Sequence, residues 1–282
     1  MTMRMYVGGV GLLGPGLVGW AQARAVLIGV EPYLPAGVCL PAAELLPPAE
    51  RRRTGQSVKL ALAVGMEALA GAGVSAAQAP STIFTSSGGD GVVIHEICEA
   101  LARPEREVSP TRFHNSVHNA PAGYWSIALR SHAPSTSLCA YDWSFAAGLV
   151  EAGIQLAGDR ELVLLVSYDL PYPEPLGLAR PMTGIVGAAL LLLRTPTASS
   201  LARIDVELES GSRPVTQVDI AGLEALRAAN PTGRALPLLR ALAGAAAADV
   251  VLDYLGTATL AIRITPAAAA LVDAKPAARA PC

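Results

Sequence analysis

Residues 109–145 read SPTRFHNSVHNAPAGYWSIALRSHAPSTSLCAYDWSF, and the alternation of turn, apolar and polar positions within them decides the fold. Ser109-Pro110 lies in a loop, and residues 121–129 suit a helix opened by proline. Residues 135–140 follow Pro134 as a short strand, and residues 143–157 form a second helix. Helix, strand and helix in such close succession describe an α/β unit.

The pattern extends in both directions. Upstream, a strand over 4–10 runs into a turn-rich stretch, 11–16. A long helix over 49–72 places Leu60, Val64, Met66, Ala68 and Leu69 near one face and stops at Gly71 and Gly73. Residues 83–86 are a short buried strand ending in Ser87-Gly88-Gly89-Asp90, and 92–101 the next helix. Downstream, 162–167 is a buried strand, and Pro171, Pro173 and Pro175 make a loop. Strands follow over 184–193 and 203–209, then helices over 222–229 and 236–247, then a strand pair at 250–254 and 259–264.

The 282 residues are 52% hydrophobic and 16% charged, a composition that supplies one large core or two fused half-domains. A net charge of -2 and a pI near 6.1 leave no basic footprint for nucleic acid. Arg51-Arg52-Arg53 heads a solvated helix. Cys39, Cys98, Cys139 and Cys282 are widely spaced and imply neither a zinc site nor a disulfide framework, so the chain reads as cytoplasmic and reduced. The glycines and Pro15 between Gly8 and Gly16 would break the apolar helix of a signal peptide. The apolar run 184–193 is about half the length of a membrane helix and reads as a strand. Gly9-x-Gly11-x-x-Gly14 has the spacing of a dinucleotide fingerprint, but Pro15-Gly16 stand where its helix must open. It reads as a tight turn, and no cofactor is expected.

The quoted stretch resembles the segment of β-ketoacyl synthases that leads to their nucleophilic cysteine. Ser109-Pro110, Asn119, Ala122-Gly123 and Pro134-Ser135 match at the family's spacing, with Ala133 in place of a glycine. The run Ser-Val-His-Asn-Ala-x-x-Gly at 116–123 is similar to that of the short chain length factors found beside aryl polyene synthases. The resemblance covers about residues 1–195 and implies a thiolase-like, layered α-β-α fold of α/β class. Its N-terminal half would be complete over 1–195 and its C-terminal half shortened to 196–265, with a flexible tail over 266–282.

By the same resemblance, Asp142 occupies the position of the nucleophile. A ketosynthase cysteine there starts a buried helix whose dipole lowers its pKa. A carboxylate could form only a reactive mixed anhydride with an acyl group. The favoured reading of Asp142 is an N-cap for the helix that follows. Two histidines of the family's C-terminal half normally serve the condensation, and no histidine follows His132 in this sequence.

The resemblance implies a non-catalytic chain length factor, paired as a heterodimer with an active β-ketoacyl synthase in polyketide, polyene or fatty-acid-like biosynthesis and meeting acyl carrier protein through that complex. The strand Ser135, Thr136, Ser137, Leu138, Cys139 and Ala140 would pair with its counterpart in the partner. The loop carrying Thr111, Arg112, Phe113, His114, Asn115, Ser116 and His118 would reach toward the partner's acyl pocket. His114 and His118 have the spacing of a metal pair but no third ligand nearby, and packing or interface roles fit them better. The alternative function is an acyltransferase or thioester hydrolase using Cys139 on a carrier-bound acyl group. Against it, Cys139 falls inside the expected strand, where a thiol is an inert small hydrophobe.

Overall fold

From the N-terminus the chain forms β1 (Thr2–Gly14), β2 (Leu17–Val18), α1 (Trp20–Leu27), α2 (Pro48–Arg51), α3 (Gln56–Gly71), β3 (Ser81–Thr85) and α4 (Gly91–Ala102). Then come α5 (Pro110–Asn115), α6 (Ala120–Leu129), β4 (Ser135–Leu138), α7 (Ser144–Ala157), β5 (Leu162–Asp169) and α8 (Leu176–Ala179). The remainder is β6 (Val186–Leu193), β7 (Ala202–Ser210), α9 (Ala221–Ala229), α10 (Leu236–Ala243), β8 (Ala248–Tyr254) and β9 (Ala258–Pro266). This computed structural model describes residues 2–267 apart from 76, 77, 79, 212 and 245. The expected tail lies, from 268 on, outside the described residues, and Pro266 belongs to β9. Among the described residues no helix is long and apolar enough to cross a membrane.

The nine strands form one sheet in the order β4-β3-β5-β6-β1-β7-β9-β8, with β2 paired to the end of β1. β4, β3 and β5 run parallel, and every other junction is antiparallel. Residues 196–265 add β7, β9 and β8 to this same sheet. Side chains alternate between its faces, as a strand's period of two requires. Val163 and Leu165 of β5 enter one core with Val26, Phe145, Leu149, Leu223 and Leu239 of α1, α7, α9 and α10. Leu164, Val166 and Tyr168 enter the other, with Leu60, Val64 and Leu69 of α3 and Tyr124 and Trp125 of α6. The result is the layered α-β-α arrangement read from the sequence.

β1 runs four residues past its expected end, through the glycines that read as a turn. Met3, Met5 and Val7 face the first core, and so do Val10 and Leu12. The switch from odd to even positions is made by a register shift between Val7 and Gly9, a bulge. On the opposite face, Gly9 and Gly11 lie directly under α3. A Cβ on Gly9 would run into the carbonyl oxygen of Ala68, and one on Gly11 into that of Val64. The glycine spacing therefore serves close helix-on-strand packing, and the turn is confined to Pro15-Gly16. Backbone cannot yield as a side chain can, so Gly11→Ala should cost about 3 kcal/mol, near the top of the usual range for overpacking. Urea unfolding of the purified chain checks this.

Other elements differ from expectation for local reasons. The helix expected over 49–72 is broken into α2 and α3, because Gly55 is extended (φ -76°, ψ -179°) and the Arg53 carbonyl accepts from Asn115 Nδ2 at 2.7 Å. The loop expected over 111–118 begins as α5, with Pro110 in its first turn and Ser109 Oγ accepting from the Arg112 amide at 3.5 Å. β4 stops at Leu138, two residues short of its expected end. α10 ends at Ala243, ahead of an extended Gly244. The proline-rich stretch after β5 contains one helical turn, α8, and α1 occupies a stretch for which the sequence offered no helix.

Candidate functional site

Because β4, β3 and β5 are parallel, their C-terminal ends open on one side of the sheet, where α/β proteins gather their chemistry. Ser86 and Ser87 follow β3, Cys139 follows β4, and Asp169 ends β5. The Asp169 side chain is buried, with the residue 2% exposed. It accepts from the Ser87 amide at 2.8 Å, Ser87 Oγ at 2.6 Å, Ser86 Oγ at 3.3 Å and Thr232 Oγ1 at 2.8 Å. Ser167 Oγ sits 2.8 Å from the Thr232 hydroxyl. Burial pushes the Asp169 carboxyl above the usual carboxylate range, and the hydrogen bonds from Ser87 act in the opposite direction. The network ties the ends of β3 and β5 to the turn after α9.

Asp142 lies in the 3-10 turn Tyr141–Trp143 that leads into α7. It does not cap that helix. The N-cap position falls on Trp143 and has no side-chain hydrogen bond, so the expected capping role is overturned. The carboxylate points instead at two guanidinium groups: Arg180 reaches Oδ1 at 3.0 Å and Arg234 reaches Oδ2 at 2.9 Å. Arg234 also approaches Asp253 at 3.5 Å, and Asp253 accepts from Trp143 Nε1 at 2.6 Å. The guanidinium of Arg180 lies 3.4 Å above the Tyr141 ring. Tyr141 itself has a φ of 54°, an uncommon conformation for an aromatic residue, at the point where the chain turns from β4 into α7.

Two cavities flank this cluster. One, of about 230 Å³, has apolar walls including Phe145, Val251 and Leu252. The other, of about 210 Å³, lies between Tyr141, Arg180 and Asn230. Asp142 and Arg234 line both, so the ion pair partitions the space at the end of the sheet.

The remaining candidate residues fall into separate groups. Ser135, Thr136, Ser137 and Leu138 form β4, the outermost strand on its side of the sheet, paired only with β3 among the described residues. Cys139 and Ala140 lie beyond the strand. Cys139 is exposed, not buried as expected, and its Sγ donates to the Ser87 carbonyl at 3.0 Å. Desolvation and the charge of Asp169 push its thiol pKa up, which is the reverse of activation. On α5, Thr111, Arg112, Phe113 and His114 are exposed, Phe113 by 69%, and Arg112 pairs with Glu96 at 2.6 Å. Asn115 turns inward and accepts from Tyr124 Oη at 3.0 Å. Ser116 Oγ donates to the Phe113 carbonyl at 2.8 Å. His114 meets the Tyr124 ring edge-on, while His118 Nε2 lies 3.3 Å from the Ser86 carbonyl, so the two histidines do not converge on a common ligand.

Residues 20–230 match the profile of the β-ketoacyl synthase N-terminal domain. The chain belongs to that family. No match is found among curated protein sequences. Among solved structures, the chain is similar to one in a ketosynthase in complex with its chain length factor from Xenorhabdus doucetiae. The TM-score is 0.69 at 20% identity, over 92% of this chain and 99% of the other. The ishigamide ketosynthase/chain length factor gives 0.68 at 15% identity, over 94% and 99%. A ketosynthase from module 6 of the bacillaene synthase of Bacillus subtilis 168 gives 0.57 at 13% identity, over 80% of this chain and 45% of that one. The fold is thus the thiolase-like fold of the ketosynthases.

Within this ketosynthase-family chain, Asp169, Arg180, Arg234 and Asp253 were not singled out by sequence reasoning. Asp169 carried a local signal, an acidic residue closing an apolar strand. The arginines carried none, since they meet Asp142 across 38 and 92 residues of chain.

Proposed function

We propose that the chain is a non-catalytic chain length factor that pairs with an active β-ketoacyl synthase in polyketide biosynthesis of the aryl polyene or a fatty-acid-like type, and meets acyl carrier protein through that pair. The observation that carries this reading is Asp142. At the position that the resemblance assigns to the nucleophile stands a carboxylate with both oxygens committed to arginines. Such a group neither attacks a thioester nor stores an acyl chain. Cys139 does not replace it, because its thiol is held as a hydrogen-bond donor and its pKa is raised.

Two further features support a partner. Among the described residues β4 leaves its outer edge unpaired, and α6 and α7, which pack against it, carry the exposed Ile127 and Ile154. α5 presents Phe113 to solvent. An apolar side chain this exposed on a short helix suits insertion into the partner's acyl pocket, where its bulk would limit the length of the product. Co-expression with the cognate ketosynthase, size-exclusion chromatography and product analysis test the proposal. Phe113→Ala should leave the complex intact and shift the products toward longer chains. A complex that forms but yields the same product distribution would remove α5 from the control of length.

A further inference from the structure

Residues 171–181 cross the open ends of β3, β4 and β5 on the way from β5 to β6. Leu170 and Met182, at either end of this strap, are buried, but no residue between them is. Leu176 and Leu178 of α8 are 48% and 78% exposed. Apolar burial therefore does little to hold the strap down, and its closed position rests on two side chains. The Tyr172 ring lies against Gly88 and Gly91, where a Cβ would collide with it, and its hydroxyl is 3.5 Å from Ser87 Oγ. Arg180 stacks on Tyr141 and reaches Asp142.

We propose that Asp142 is the latch of this strap: one carboxylate oxygen fastens Arg180 of the strap and the other fastens Arg234 of the turn Thr232–Ala235, closing both over the ends of the parallel strands. Among the described residues Arg180 has no other ion pair, so loss of Asp142 leaves it half-buried beside a second guanidinium. Like charges then push the strap and the turn apart, where Asp142 had drawn them together. Arg234 keeps Asp253. The two fastenings are thus separable, and the strap depends on its own more than the turn does. The position that the resemblance assigns to the nucleophile serves on this proposal as an ionic fastening.

Hydrogen exchange of the isolated full-length chain, followed by mass spectrometry, tests the latch. The reporting amides are those of Gly177, Leu178 and Arg180, which donate to carbonyls within the strap. In Asp142→Ala they should exchange about tenfold faster, the effect of losing a charge-assisted hydrogen bond, while the amides of β5 stay slow and show that the core is folded. Excess sodium acetate should slow them again by restoring a carboxylate between the arginines, and sodium chloride at equal ionic strength should not. Arg180→Met should free the strap and leave residues 232–235 protected. Strap amides that exchange at the wild-type rate in Asp142→Ala, or equal recovery in acetate and chloride, would overturn the latch. So would loosening of 232–235 by Arg180→Met as large as that of the strap.

Discussion

On the proposed function, Ser137→Pro should abolish co-purification of the chain with a co-expressed ketosynthase while the isolated chain remains folded. The register of β4 selects this residue. The Thr82 amide donates to the Pro134 carbonyl at 3.0 Å, and Thr82 stands opposite Ser135. In a parallel ladder the N–H and C=O of one residue point to the same side, and the next residue points to the other. Pro134, Thr136 and Leu138 therefore face β3, while Ser135 and Ser137 face outward. Thr136, near the middle of the strand, is the position that sequence reasoning would choose, but a proline there would break the chain's own sheet. A proline at 137 removes an outward donor and puts its ring where a partner strand must lie. Leaving the partner's backbone unpaired should cost about 3 kcal/mol, on the order of a hundredfold in Kd. The other edge of the sheet is not an equivalent site, because Thr216 already bonds both the amide and the carbonyl of Val251 in β8, at 2.9 Å each. Pull-down of the ketosynthase by the Ser137→Pro chain at wild-type yield would exclude β4 as the junction.

The difference between Thr136 and Ser137 illustrates where sequence reading ends. Buried strands such as β5 and β6 were legible because nearly continuous apolar runs of strand length have few other solutions. The resemblance over 109–145 was legible because several fixed separations agree at once. Orientation is another matter. Whether a backbone N–H faces inward or outward depends on pairing with a strand some fifty residues away, and no local pattern encodes it. The glycines of β1 were misread for a related reason. Gly9 and Gly11 have the composition of a turn, and only the position of α3 above them shows that they remain in a strand. The short helix α5 had its signal in plain view, a Ser-Pro pair that supplies both cap and first turn, but it was overridden by the expectation of a loop. Asp142 lies just ahead of α7, as the sequence implies, but does not cap it. A carboxylate just before a helix is most simply a cap, and the two arginines that claim it arrive from distant parts of the chain.

Asp142→Cys should produce a reactive thiol and no condensing activity. The new side chain would stand between Arg180 and Arg234 just ahead of α7, and two guanidinium groups favour a thiolate over a thiol. The variant should therefore be alkylated at position 142 by iodoacetamide faster than at Cys139, whose thiol pKa is pushed up by desolvation and by the charge of Asp169. A nucleophile alone does not condense. Decarboxylation of a malonyl thioester needs donors for the thioester carbonyl and the departing carboxylate. His118 has Nε2 3.3 Å from the Ser86 carbonyl, and no histidine follows His132 in the sequence. The isolated variant should thus accept an acyl group from an activated thioester at the introduced thiol and yield no ketoacyl product from malonyl carrier protein. Mass spectrometry of the intact variant separates the two steps. Ketoacyl product made by the variant without its partner would mean that the chain lacks only a nucleophile, and the reading of the chain as a non-catalytic subunit would then reduce to a single substitution.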